Sequence, residues 1–76
     1  MDQSPAQELA DKVAACILRA GRSKASVASD AGIPITTFTR KINGHTEFTF
    51  SELLRIADSL GVPPSTFTPS RFAVAA

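Results

Sequence analysis

The chain contains no tryptophan or tyrosine, one cysteine, one histidine and no long apolar run. Each shortage removes a class of protein. A membrane-spanning helix needs roughly 20 consecutive apolar residues, and no segment approaches that, so no membrane partner is expected. Lone Cys16 has no second thiol to pair with, which suits a reducing cytoplasm. Its place on an apolar stripe makes a buried structural thiol the expectation, rather than a redox sensor. His45 has no Cys, Asp or second His at ligand spacing, so no metal and no cofactor are expected. The opening MDQSPAQEL is acidic where a secretory signal is basic and then apolar, so export is not expected and the cytoplasm is the expected location. Catalysis needs a nucleophile with a positioned base, paired carboxylates in a cleft or a phosphate loop, and none is recognisable; an enzyme is not expected.

What is present suffices for one small core: 76 residues with 43% hydrophobic content. The punctuation is helical throughout. Ser4, Pro5 and Gln7 form a helix start, and a first helix is predicted from about Pro5 to Ala20, with Leu9, Val13, Cys16, Ile17 and Ala20 on one face and Gly21 as the stop. Ser23 caps a second helix over about Lys24 to Ala31, with Val27, Ala28 and Ala31 inward. Gly32 ends it, Ile33 and Pro34 turn the chain, and a third helix is predicted from Ile35 to Ile42, stopping near Asn43 and Gly44. Thr49 and Glu52 then make a capping box, with Phe48 and Leu53 placed as a hydrophobic staple. Leu53, Ile56, Ala57 and Leu60 stripe the fourth helix, and Gly61 closes it. Val62, Pro63 and Pro64 lead into a fifth helical turn around Ser65 to Phe67. No strand-like alternation appears, so the predicted fold is an all-α compact bundle of four to five short helices.

The third helix carries the functional signal. At about 100° per residue, Phe38 and Ile42 share one side, while Thr36, Arg40 and Asn43 lie a quarter-turn or more away. Ile35 and Thr39 stand at one border, Thr37 and Lys41 on the other flank. Threonine is a mediocre helix former, and an ordinary solvated face more often carries Glu, Gln, Lys or Ala. Short hydroxyl side chains let a helix approach a groove closely, arginine offers a bidentate fork to guanine or phosphate, and an amide such as Asn43 can hold a phosphate or base edge. For Thr36 and Thr39 the competing reading is local backbone hydrogen bonding, and for Lys41 a plain surface cation.

Charge is segregated along the chain. From Arg19 to Lys41 five basic residues face one acid, Asp30, a net of +4, and the remainder carries −3. A basic middle between acidic ends suits a small domain that offers one face to phosphates.

The run AGIPITTFTRKINGHTEF, with its NG at 43–44, and the later LLRIADSLGV resemble the helix-turn-helix family of phage repressors and Cro proteins, the lambda-repressor-like domains. The resemblance covers most of the chain to Phe67, with its core at 24–43: Ala28 is the small residue, Gly32 the turn glycine, and Ile33 and Phe38 the apolar pair. It implies a DNA-binding domain over 1–69 acting on a double-stranded operator as a transcriptional regulator, most like an immunity repressor or Cro protein. By motif position, Lys24 would touch the backbone, and Ile35, Thr36, Thr39 and Arg40 would read bases. Asn43 would hold a phosphate, with Thr37, Lys41 and His45 as flanking and loop candidates. Relatives often have Gln where this chain has Ile35, which offers only apolar contact with a thymine methyl. Pro34 also replaces the usual serine cap.

Residues 70–76 are expected to form a tail. Two roles stay open for it: Phe72 and Val74 packing on a second copy to make a homodimer, or the small apolar ending acting as a signal gripped by a bacterial protease. The rival to DNA reading is a protein-interaction module or antitoxin-like regulator that keeps the helix-turn-helix shape. Salt-dependent retention on duplex DNA separates the two.

Overall fold

The computed structural model of the chain describes residues 5–67. Helices α1 (Pro5–Arg19), α2 (Lys24–Asp30), α3 (Ile35–Ile42) and α4 (Phe50–Leu60) follow one another, and a 3₁₀ turn spans Pro64–Phe67. No strand occurs among the described residues. The all-α expectation holds. The capping role of Ser4 and every reading of the tail lie outside the described residues.

Local chemistry sets the helix ends. The Ser23 side chain accepts the Ser26 N–H at 3.1 Å and starts α2. At its far end Gly32 takes φ 69, the left-handed region that costs an L side chain. There the Ile33 N–H donates to the Ala28 carbonyl at 2.9 Å and the Gly32 N–H to that of Ser29 at 3.1 Å. This closes two carbonyls that the helix end would orphan. The predicted capping box is present on α4: Thr49 Oγ1 accepts the Glu52 N–H at 3.1 Å, and Glu52 Oε1 accepts the Thr49 N–H at 2.8 Å. Phe48, just before the cap, is buried, and Leu53 packs against the same cluster.

The core lies where the helices cross. Val13, Cys16 and Ile17 of α1, Val27 and Ala28 of α2, Phe38 and Ile42 of α3, Ile56 and Ala57 of α4 and Phe67 of the 3₁₀ turn form one buried cluster. Phe38 is fully buried, and its ring meets that of Phe48 edge-on, centroids 5.7 Å apart at 65°. α1 and α3 are in contact, as are α2 and α4, so α3 is held from behind while its other side stays open.

Three details differ from the sequence reading. Ala20 is exposed, because α1 stops at Arg19 and Ala20 lies at the rim beside Leu60 and Val62; Ala10 is buried instead. Ala31 is the cap that follows α2 rather than its last helical residue, although it is buried as expected. The 3₁₀ turn begins at Pro64.

Candidate nucleic-acid interface

α3 is eight residues long, and its side chains sort sharply. Phe38 and Ile42 are buried, Thr37 and Lys41 are half-buried, and Ile35, Thr36, Thr39, Arg40 and Asn43 are exposed. Ile35, Thr36, Thr39 and Arg40 together line a shallow concavity on the open side of the helix. Ile35 keeps 47% of its surface exposed, unusual for isoleucine in a fold that buries its other four isoleucines. The face is thus apolar and hydroxyl-bearing, with one guanidinium at its end.

Pro34 caps α3 with no side-chain hydrogen bond, so no cap side chain satisfies its first-turn N–H groups. Behind the other end, the chain leaves α3 through Asn43 and Gly44, where the His45 N–H donates to the Arg40 carbonyl at 3.0 Å. Gly44 has φ 82, and a Cβ there would collide with the Gln7 side chain of α1. The loop carrying exposed Asn43 and His45 is therefore pressed against the start of α1. Lys24, also exposed, opens α2.

The cations of the basic segment divide into two groups. Arg22 donates to Asp30 Oδ2 at 3.1 Å, Ser26 Oγ at 3.2 Å and the Ser59 carbonyl at 3.0 Å. Lys41 Nζ lies 2.5 Å from Glu52 Oε1, with each side chain only 13% exposed. Both charges are neutralised within the fold. Arg19 leans on the Cys16 sulfur at 3.4 Å, whereas the side chains of Lys24 and Arg40 make no hydrogen bond or ion pair among the described residues. Sequence reasoning counted Arg22 and Lys41 as part of the available charge and missed their partners. The lone acid Asp30 in a basic segment was the available signal for the first pair; nothing in the sequence announced the second.

Two carboxylates titrate away from their ordinary values. The Ser59 hydroxyl hydrogen bond, then the Arg22 hydrogen bond and charge, hold Asp30 below the usual carboxylate range. For Glu52 burial pushes upward. The hydrogen bonds from Lys41 and Thr49, with the Lys41 charge, outweigh it and bring the group below its ordinary value. Among the described residues no group of His, Cys, Asp and Glu is arranged to hold a metal ion, and no helix is long and apolar enough to cross a membrane.

A short helix ended by a glycine turn, followed by a second helix whose outer face is open and hydroxyl-rich, defines a helix-turn-helix domain. Residues 16–68 match the family model of the Cro/C1-type helix-turn-helix DNA-binding domain, and the chain belongs to that family. No curated protein and no solved structure matches it significantly. It is a DNA-binding regulator.

Proposed function

We propose that the chain is a sequence-specific transcriptional repressor of the phage immunity or Cro kind, working in a bacterial cytoplasm, that inserts α3 into the major groove of an operator. The observation that carries this reading is the open face of Ile35, Thr36, Thr39 and Arg40. In a groove, Arg40 would fork onto guanine O6 and N7, the threonines would meet base edges or thymine methyls, and Ile35 would make apolar contact only. Lys24, Asn43 and His45 would anchor to phosphates on either side of the reading helix. Thr37, half-buried on the flank, would meet phosphate at the groove edge.

Footprinting on a duplex selected from a random pool tests the reading. A protected palindrome with half-sites about one helical turn apart is expected, and it would establish two copies per operator. Absence of salt-dependent retention on duplex DNA would favour the protein-interaction reading instead.

A further inference from the structure

Two cations end α3, and the fold treats them oppositely. The Arg40 side chain is exposed with no partner among the described residues; Lys41, the next residue, is turned back to Glu52. Glu52 Oε1 accepts the Lys41 ammonium and the Thr49 N–H at once. A single oxygen therefore joins the last turn of α3 to the first turn of α4, across the loop that carries Asn43 and His45. We propose that Glu52 is a specificity-determining residue: it keeps Lys41 from the phosphates and fixes both ends of the loop after α3. This inference rests on the DNA-reading proposal above.

The physical logic is one of subtraction. A phosphate-bound lysine adds affinity for every sequence alike, because the released counterions carry no base information. Withdrawing Lys41 removes that uniform gain. The remaining affinity then depends more on the exposed face of α3. Anchoring Lys41 and Thr49 to one carboxylate also pre-orders the loop, which lowers the ordering cost of binding.

The test uses Glu52→Gln, which keeps an acceptor for the Thr49 N–H and so preserves the capping box, with Lys41→Gln and the double variant beside it. Binding to a random duplex is followed against salt concentration. Lys41→Gln alone should leave the wild-type slope unchanged. Glu52→Gln should steepen it by about 0.9 and tighten binding roughly fivefold to tenfold at about 0.1 M salt, as one freed cation would. The double variant should return to the wild-type slope. A slope flattened by Lys41→Gln alone, or unmoved by Glu52→Gln, overturns the proposal. NMR titration of the Glu52 carboxyl supplies a readout independent of DNA: its pKa should rise in Lys41→Gln, and a static value overturns the pairing itself. If the pairing holds in that titration but the wild type shows no salt-dependent duplex binding, the DNA-reading proposal has failed and this one falls with it.

Discussion

Arg22 Nη1 donates to both the carbonyl oxygen and the Oγ of Ser59, at 3.0 and 3.2 Å, joining two residues 37 positions apart. Through this contact and its bond to Asp30, the residue before the α2 cap ties both ends of α2 to the end of α4. Arg22 is a structural cation. Arg22→Met should destabilise the fold by about 1–2 kcal/mol, the usual range for charge-assisted hydrogen bonds that are partly solvated. In a domain of this size that is a drop of roughly 4–16 °C in melting temperature. The salt slope of DNA binding should not move; a flatter slope would place Arg22 on phosphate.

The fully buried Phe38 holds α3 to the core. Phe38→Ala should cost about 3–5 kcal/mol through lost burial and the cavity left beside Phe48. A small single-core domain has little stability beyond that, so much of the population should unfold, as read by far-UV circular dichroism. A melting midpoint lowered by only a degree or two would contradict the orientation of α3.

Acid should weaken the fold through two named groups. Asp30 and Glu52 both have folded pKa values below their ordinary ones. Their contribution is therefore present while they are ionised above about pH 4–5 and is lost as the pH falls through that range and below. Melting temperatures of the wild type should fall on acidification below about pH 4.5, and the Asp30→Asn, Glu52→Gln double variant should fall less steeply. Parallel curves would show that neither pairing is maintained in solution.

The helix ends and the faces were legible in the sequence because both are local. Thr49 and Glu52 lie three apart, Gly32 sits where a left-handed residue must follow α2, and Phe38 and Ile42 are one turn apart. The pairs Arg22–Ser59 and Lys41–Glu52 were not legible, since they depend on where α4 lies against α2 and on how the chain returns from α3 to α4. A charge count along the chain thus overstated the cations free for phosphate. Ala20 misled for a related reason. Helical periodicity placed it on the inner face but carried no information on where the partners of that face end.

Lys24 and Arg40 should behave differently when removed. Lys24→Ala should weaken binding to all duplexes about equally and reduce the salt slope by about 1, as expected for a phosphate contact. Retained affinity and slope would remove Lys24 from the interface.

The central claim is that the open face of α3 reads base sequence, and Arg40 tests it most directly. Binding of the wild type and Arg40→Ala is compared on the selected operator, on its single-base-pair variants and on random duplex at one salt concentration. Arg40→Ala should lose about 1–3 kcal/mol on the operator and cease to discriminate at one base pair, with a smaller loss on random DNA. Equal losses on every duplex, with discrimination unchanged at all positions, would contradict the claim.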